Sequence, residues 1–291
     1  MSAKVLAFGE ILWDMIEGEG TIGGASLNFA SHFRQLGGAS AMISAVGQDS
    51  FGDRALDFLN QHGVKTSFIS RSDKATGEVP VILKDGIPSY NILEDRAWDY
   101  IPVTGDLLSE IKKTNWDIFY FGSLAQRTPE NRAAVKSILE AVPFKHIFLD
   151  INLRQNYYSK DILIDSMTAA TILKLNDEEI EVVSRMVFGG EFKESEVCEK
   201  IMTQFDIPLI VVTLGSEGAR LYGGGEVITL HPPKVNAVDT VGAGDSFSAA
   251  FVYSYTLHGD LKKAGELALK VAAHVVTHTG AVQPYPEGLI G

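Results

Sequence analysis

The chain has 291 residues, of which 45% are hydrophobic and 21% charged, and its 37 acidic and 25 basic side chains give a formal net charge of −12. This length suits one large α/β domain or two modest ones. The negative charge argues against binding to nucleic acid or to an anionic membrane surface. The one cysteine, Cys198, excludes an internal disulfide and a cysteine-rich metal site.

The first ten residues do not contain the long apolar core of a signal peptide, and their short apolar run predicts a strand instead. No segment of the sequence approaches the ~20 apolar residues that a membrane-spanning helix needs. We therefore expect a cytoplasmic protein.

In chain order, short apolar runs alternate with segments in which apolar residues recur at helical spacing. The predicted buried strands are residues 5–8, 41–46, 118–121, 147–151, 172–175 and 209–214. The predicted helices are residues 27–36, 51–62, 129–142, 177–187 and 194–205. This alternation predicts an α/β fold with a mostly parallel sheet covered by helices on both faces, and such sheets bind ligands beyond the carboxyl ends of their strands.

One region departs from the alternation. Residues 77–93 predict two strands around a turn at 84–86, and residues 14–22 predict one further strand beside them. These segments would form a small β lid over the strand ends, where it would exclude water from a reaction. An edge hairpin without functional motion is the alternative. A second hairpin is predicted from residues 219–222 and 227–231, around three consecutive glycines.

Residues 239–245 read Asp-Thr-Val-Gly-Ala-Gly-Asp and precede an apolar stretch with helical spacing. At a helix start the backbone N–H groups of Gly242, Ala243 and Gly244 would be bare, and the helix dipole favours an anion there. Asp245 follows on the first helical turn. A carboxylate beside a bound phosphoryl group is the arrangement that phosphoryl transfer to a hydroxyl requires.

Gly23 and Gly24 precede another predicted helix and would let a ligand approach the backbone, although a simple turn is the alternative. Asn28, on the first turn of that helix, offers both a donor and an acceptor to a polyhydroxylated ligand. Asp14 lies just beyond the first strand and can accept hydrogen bonds from neighbouring hydroxyls. A solvated loop carboxylate is the other interpretation of Asp14.

Polar residues also follow the later strands. Asn176 and Glu179 form a capping box in sequence and can also hold phosphate-bound Mg²⁺ through water, and the two roles are compatible. Arg154 can clamp a phosphate or carboxylate, or form a structural salt bridge. The end of the next strand carries residues that would either leave room for a nucleotide or form a turn: Thr213, Gly215 and Gly218.

Three well-known ligand-binding motifs are incomplete in this sequence or absent from it. Residues 242–247 contain two of the three glycines of a dinucleotide-binding fingerprint, with Phe247 at the third position and no clear strand before them. The P-loop pattern Gly-x-x-x-x-Gly-Lys-Ser/Thr does not occur. His274 and His278 are four residues apart on a predicted helix, but no Glu follows the first His, so we interpret them as packing or surface residues rather than zinc ligands.

With these motifs the chain resembles the ribokinase-like (PfkB-type) carbohydrate kinases over essentially its full length. The diagnostic segments are Gly-Gly-Ala-Ser-Leu-Asn at 23–28 and the motif at 239–245, with Asn176-x-x-Glu179 and Thr213-Leu214-Gly215 in the correct order between them. The resemblance implies a single three-layer α/β domain over residues 1–291. It also implies that residues 14–22 and 77–93 form a β lid, which in this family often mediates dimerisation.

The resemblance further implies ATP and Mg²⁺ as cosubstrates and Asp245 as the base that takes a proton from a sugar hydroxymethyl group. The amides of residues 242–244 would stabilise the transferring phosphoryl group. The implied sugar contacts are Asp14, Gly24, Asn28 and Arg154. Asn176 and Glu179 would organise Mg²⁺ and phosphates, and Thr213, Gly215 and Gly218 would line the nucleotide. The family often carries a monovalent cation such as K⁺ beside the anion hole, which here would involve Asp239, Val241, Val275 and Gly280.

Residues 9–14 and 97–99 are most similar to fructokinase-type members of the family, which implies fructose as the acceptor. A 2-keto-3-deoxygluconate kinase, a ribokinase and a nucleoside kinase are the alternatives, and an Arg154 engaged with a carboxylate would favour the sugar acid. A non-catalytic sugar or nucleotide sensor is an alternative of a different class. The chain departs from the family at Leu269, where a polar residue often contacts the adenine side.

Overall fold

The computed structural model describes residues 2–16, 19–84 and 87–290. The strands are β1 Lys4–Phe8, β2 Leu12–Ile16, β3 Glu19–Gly23, β4 Ala39–Gly47, β5 Ile69–Ser72, β6 Gly77–Lys84, β7 Ile87–Tyr90, β8 Ile118–Gly122, β9 His146–Asp150, β10 Ile172–Asn176, β11 Leu209–Thr213, β12 Ala219–Gly223 and β13 Glu226–Leu230. The helices are α1 Ala25–Gln35, α2 Ser50–Gln61, α3 Gly105–Ile111, α4 Pro129–Ala141, α5 Lys160–Ala169, α6 Asp177–Phe188, α7 Glu194–Phe205, α8 Ala243–His258 and α9 Leu261–Val275.

A nine-stranded sheet runs through the molecule in the order β13-β12-β11-β10-β9-β8-β1-β4-β5. Every pairing from β11 to β5 is parallel, and the β12–β13 hairpin is joined antiparallel at one edge. Because the parallel strands are buried on both faces, they read as continuous apolar runs rather than as alternating ones.

Helices cover both faces of this sheet. One face packs against α3 to α7 through buried residues such as Ile138 and Val183, and the other packs against α1, α2, α8 and α9 through residues such as Phe33 and Phe251. Short-range signals set the helix starts. Asp49 and Thr128, for example, accept hydrogen bonds from the first-turn N–H groups of α2 and α4. The predicted fold class, a mostly parallel sheet between two helical layers with a small second sheet, is confirmed.

The second sheet has four strands in the order β3-β2-β6-β7. The β2–β3 and β6–β7 pairs are antiparallel, and β2 and β6 are parallel. The expectation of a single strand from residues 14–22 was wrong, because residues 14–16 belong to β2 and residues 19–22 to β3, and the two strands pair antiparallel. Residues 17–18 of the predicted lid and residues 85–86 of its predicted turn lie outside the described residues.

The sequence patterns did not predict β5, α3 or α5. The first two have only 4 and 7 residues, which gives little periodicity to detect. The helix that carries His274 ends at Val275, so the expectation that His278 shares this helix was wrong. Among the helices that the structure describes, none combines the length and the hydropathy needed to cross a membrane.

Candidate active site

A cavity of about 730 Å³ opens at the carboxyl ends of the parallel strands, between the main sheet and the four-stranded sheet. Residues just beyond β1, β8 and β9 and at the ends of β10 and β11 line it, as expected for a parallel α/β sheet. The four-stranded sheet contributes Leu12, Asp14 and Val79. Leu12 and Asp14 are two residues apart on β2 and therefore point to the same side of the strand.

Within the motif at 239–245, residues 239–244, which we call the anion loop, lead into α8 and include its first two residues. Gly242 is the residue before the helix and has a left-handed backbone with φ of +79°. A methyl group placed on its Cα would lie 2.5 Å from the backbone oxygen of Ala281, so only glycine fits here. Gly242, Ala243 and Gly244 all line the cavity. The expectation that all three amides are bare was wrong in one respect, because the Ala243 N–H already donates to the Thr240 carbonyl at 3.2 Å in the turn before the helix.

Asp245 lies on the first turn of α8 and faces the cavity. The side-chain amide of Asn28 donates to its Oδ2 at 2.8 Å. Burial raises the pKa of Asp245 from 3.8 to about 6, since the nearby charge of Asp150 adds to the effect while the Asn28 hydrogen bond, Lys174 and Arg154 oppose it. A carboxyl group with this pKa is ionised at neutral pH and basic enough to accept a proton from an alcohol during transfer.

Lys174 is a cavity residue that sequence reasoning missed. It lies on β10 opposite Asp150 on β9, and the Lys174 Nζ contacts the two Asp150 carboxylate oxygens at 3.0 and 3.3 Å. The Ser248 hydroxyl of α8 donates to the same carboxylate at 2.8 Å. A methyl group placed on Gly244 would lie 3.3 Å from the Lys174 Nζ, which puts this ammonium beside the anion loop.

Burial alone lowers the pKa of Lys174, but the carboxylates of Asp150 and Glu179 more than offset this effect, so the net pKa is raised. Lys174 therefore carries a full positive charge at neutral pH. The signal in the sequence was a single lysine inside the otherwise apolar strand Ile-Leu-Lys-Leu-Asn. A lysine in such a position is buried only when it is paired.

Glu10 is a second missed residue, and it explains the start of α1. Gly24 precedes this helix with φ of +110°, and a methyl group on it would lie 2.6 Å from the Glu10 carbonyl oxygen. Because glycine has no side chain to cap the helix, the Glu10 carboxylate accepts the Ala25 N–H at 2.8 Å instead. Burial raises the pKa of Glu10, and the charge of Asp245 raises it further, while hydrogen bonds from backbone N–H groups oppose both effects.

Asp14 and Arg154 lie on the cavity wall, as do Gly24 and Asn28. Burial raises the pKa of Asp14, and the charge of Arg154 acts in the opposite direction. Arg154 is exposed and follows β9, and one of its terminal nitrogens is 3.4 Å from the Leu153 carbonyl oxygen. The structure thus brings Asp14, Gly24, Asn28 and Arg154 to one cavity, and these are the four residues that were predicted to hold the sugar.

Asn176 and Thr213 are directly paired at the ends of β10 and β11, and both line the cavity together with Gly215 and Gly218. Glu179 is different. Its Oε1 accepts the Leu153 N–H at 2.7 Å and its Oε2 accepts the Asn176 N–H at 2.8 Å, so the predicted capping box is formed. Glu179 is buried behind the wall rather than on it, and its predicted role toward Mg²⁺ stays a prediction.

The residues predicted around a monovalent cation lie beside the anion loop. The Asp239 carboxylate accepts the N–H groups of Val241 at 3.0 Å and Gly280 at 2.9 Å. The Val275 carbonyl accepts the His278 N–H at 3.1 Å. These oxygens keep further lone pairs, so the donor set suits a weakly bound monovalent ion. The described residues contain no cluster of three or more His, Cys, Asp or Glu side chains placed to hold a metal.

An Mg²⁺ ion bound through water and phosphate oxygens does not need such a cluster. The exposed carboxylates of Asp177 and Glu178 line the cavity next to Asn176, which is the hard oxygen chemistry that this ion prefers. The residues present therefore fit a metal–nucleotide complex.

Residues 4–288 match the family model described as pfkB family carbohydrate kinase. The chain is 32% identical to the sugar kinase PH1459 of Pyrococcus horikoshii over 301 residues, covering 95% of this chain and 91% of that protein. It is 27% identical to a fructokinase of Escherichia coli, covering 98% of this chain and 97% of that enzyme.

Solved structures agree with the sequence comparisons. PH1459 in complex with ATP superposes with a TM-score of 0.80 at 30% identity, covering 95% of this chain and 93% of that one. A fructokinase double mutant of Vibrio cholerae, with fructose, ADP and a potassium ion bound, superposes with a TM-score of 0.82 at 23% identity, covering 96% and 94%. The chain therefore belongs to the pfkB family of carbohydrate kinases, phosphotransferases with an alcohol group as acceptor.

Proposed function

We propose that this protein is a fructokinase, which transfers the γ-phosphate of ATP to a hydroxymethyl group of fructose. The observation that carries the proposal is the placement of Asp245. This carboxylate lies beside the anion loop and accepts a hydrogen bond from Asn28. It faces the same cavity as Asp14 and Arg154, the other polar side chains that we propose contact the sugar. The fructokinase of E. coli, similar over nearly the whole chain, supports fructose as the acceptor.

In this mechanism Asp245 accepts the proton of the sugar hydroxyl as that oxygen bonds to the γ-phosphorus and ADP leaves with the electrons of the broken bond. Asn28 keeps the carboxylate oriented through the hydrogen bond to Oδ2. The Asn28 Oδ1 is buried and has no hydrogen-bond partner within the described residues. A buried acceptor of this kind is costly unless a ligand donates to it, and a sugar hydroxyl would do so.

The amides of the anion loop and the Lys174 ammonium would stabilise the charge on the transferring group, as preorganised donors do in phosphoryl transfer. Mg²⁺, when bound with ATP, neutralises phosphate charge, and we propose that Asn176, Asp177 and Glu178 hold it through water. The potassium ion in the V. cholerae fructokinase supports a monovalent site at Asp239, Val241, Val275 and Gly280.

A 2-keto-3-deoxygluconate kinase is the second candidate, because one observation favours it. Arg154 presents an exposed cation at the cavity wall, close enough for its charge to act on both Asp14 and Asp245. A guanidinium there can pair with a sugar carboxylate in bidentate fashion. Fructose offers no carboxylate, so the Arg154→Gln variant separates the two candidates: it would raise KM for the sugar acid strongly and change KM for fructose little.

The test is a coupled ADP-release assay on the wild type and the Asp245→Asn variant, with fructose, ribose, 2-keto-3-deoxygluconate, tagatose 6-phosphate and adenosine. The highest kcat/KM with fructose, lost in Asp245→Asn, would support the proposal. A highest value with another acceptor would replace fructose and leave the kinase chemistry in place. Ligand-dependent thermal stabilisation without ADP release for any acceptor would instead indicate a sugar or nucleotide sensor.

We also propose a cytoplasmic homodimer that forms through the four-stranded sheet. The outer strand β3 lies at the edge of this sheet, and edge strands provide backbone groups for pairing with a second copy. Light scattering of the intact chain tests the dimer. The Thr21→Pro substitution on β3 would weaken it, and a monomer in the wild type would contradict it.

A further inference from the structure

The segment that follows α9, which we call the C-terminal strap (residues 280–290), crosses the back of the anion loop. The strap and the loop meet at two points. The Gly280 N–H donates to Asp239 Oδ2 at 2.9 Å, and the backbone of Ala281 lies so close to Gly242 that no side chain fits between them. The position of Ala281 therefore limits where the first residues of α8 can lie.

His32 of α1 holds Ala281 from the other side. Its side chain is fully buried, its Nε2 is 2.8 Å from the Ala281 carbonyl oxygen, and its Nδ1 is 2.6 Å from the Tyr285 hydroxyl. Because a carbonyl can only accept, Nε2 carries the hydrogen, and Nδ1 accepts the Tyr285 O–H. Burial lowers the pKa of His32 to about 4, so the ring is neutral and keeps this pair of roles at physiological pH.

Tyr285 ties the strap to the same helix a second time. Its ring stacks on His32 with centroids 5.7 Å apart, and its N–H donates to the Gln35 side-chain oxygen at 3.2 Å. One turn earlier on α1, Asn28 binds Asp245. Residues four apart lie on the same side of a helix. A single side of α1 thus holds both the carboxylate on α8 and the strap that supports the anion loop.

We propose that His32, with Tyr285, is a positioning residue for phosphoryl transfer: through Ala281 it sets the place of the Gly242–Gly244 amides relative to Asp245. His32 does not line the cavity. This inference rests on the proposed kinase function. Loss of the His32 hydrogen bonds would let the strap shift and move the amides away from the γ-phosphate, and a displacement of about 1 Å can cost about 10²-fold in rate.

The experiment compares matched variants. His32→Leu keeps a similar volume and removes both polar atoms. His32→Gln restores an N–H near the position of Nε2. Tyr285→Phe removes one oxygen only. His146→Leu is the control, because His146 is partly buried, has its pKa lowered to about 4 by burial and lies beside Tyr255, but stands at the opposite end of the parallel strands, at the start of β9.

Two readouts separate positioning from a general loss of stability. The first is the split between kcat and the KM for the sugar. The second is the additional rise in Tm that a non-hydrolysable ATP analogue gives over ADP, because only the analogue presents a γ-phosphate to the anion loop. We expect His32→Leu to lower kcat about 10- to 100-fold, to leave the sugar KM within about twofold and to lose the additional Tm rise. His32→Gln should recover most of kcat, and His146→Leu should change neither readout.

Unchanged kcat and an unchanged analogue-over-ADP rise in a folded His32→Leu variant would overturn the proposal. If that variant does not fold, Tyr285→Phe decides, and wild-type values for both readouts would overturn the proposal equally. A wild type that releases no ADP with any acceptor contradicts the kinase function instead. In that case the nucleotide-dependent Tm comparison still tests whether His32 positions the loop.

Discussion

The side-chain amide of Asn28 donates to the carboxylate of Asp245 at 2.8 Å, across 217 positions of sequence. Asn28 belongs to α1, the helix that follows β3, and Asp245 lies on the first turn of α8, the helix that follows the anion loop. The hydrogen bond therefore joins the wall that we propose for the sugar to the loop that we propose for the phosphates. It engages Asp245 Oδ2.

The first prediction concerns turnover. Asp245→Asn keeps the size of the side chain and the contact with Asn28 but removes the base. We expect kcat to fall by ~10²–10⁴ with little change in ligand binding, the usual worth of a positioned base. Single-turnover ADP release measures this effect, and Asp57→Asn, on the exposed face of α2 and away from the cavity, is a control for loss of one negative charge. An Asp245→Asn enzyme with wild-type kcat would show that Asp245 is not the base.

The second prediction is that the same substitution stabilises the fold at neutral pH. The pKa of Asp245 is about 6 in the folded protein and 3.8 ordinarily, so the folded state binds more protons between these values. Stability due to this group therefore falls as pH rises from 3.8 to 6 and stays low above 6. Asp245→Asn should gain about 1–2 kcal/mol at pH 8. Urea unfolding at pH 8 and pH 4 checks the sign, and a gain only at pH 4 would contradict it.

The third prediction concerns the pH dependence of catalysis. The base must be ionised, so kcat/KM should fall as the pH drops below about 6, the pKa of Asp245. Asn28→Ala removes a hydrogen bond that lowers this pKa, and the acid limb should move to higher pH. Steady-state profiles of kcat/KM from about pH 5 to 9 measure the acid limb of the wild type and of Asn28→Ala. If the acid limb lies at the same pH in the wild type and in Asn28→Ala, it does not report the ionisation of Asp245.

The fourth prediction separates the two roles of Lys174. Lys174→Met leaves Asp150 buried without its cation, which should cost about 3–5 kcal/mol of unfolding free energy. It also removes the charge beside Gly244, and kcat should fall by about 10²–10³. Adding Asp150→Leu removes the unpaired carboxylate, so the double variant should recover stability but not activity. Recovery of both would assign Lys174 a structural role alone.

The fifth prediction concerns the buried ion pair between Arg127 and Asp99. Arg127 Nε and Nη2 contact the two Asp99 oxygens at 2.6 and 2.7 Å, and the guanidinium lies between the rings of Trp98 and Tyr157. Arg127→Met should cost about 3–5 kcal/mol, because it strands the buried carboxylate.

The exposed pair Lys136–Glu140, 3.9 Å apart, is the matched control for that measurement. Lys136→Met should change the free energy of unfolding by less than about 1 kcal/mol. If urea unfolding gives the same loss of unfolding free energy for Arg127→Met and Lys136→Met, burial does not decide how much an ion pair contributes to stability.

Local patterns predicted much of the fold. The parallel strands are short, continuous apolar runs, and the start of α8 follows from glycines and a carboxylate that lie within a few residues of one another. The same reasoning predicted many of the residues that line the cavity, because strand ends and helix starts are short-range features and a parallel sheet brings its carboxyl ends together. The division of one segment into β2 and β3 was harder to predict, since two short consecutive strands look like one strand in sequence.

Only the folded chain revealed the partners of Glu10, Lys174 and His32. Each is an ordinary polar residue in its own segment, and its partners lie on other elements, at Ala25, Asp150 and Ala281. Dihedral preference, capping and hydrophobic period describe a few neighbouring residues at a time. Contacts between distant segments depend on how helices pack across the sheet, and no local pattern in the chain specifies that packing.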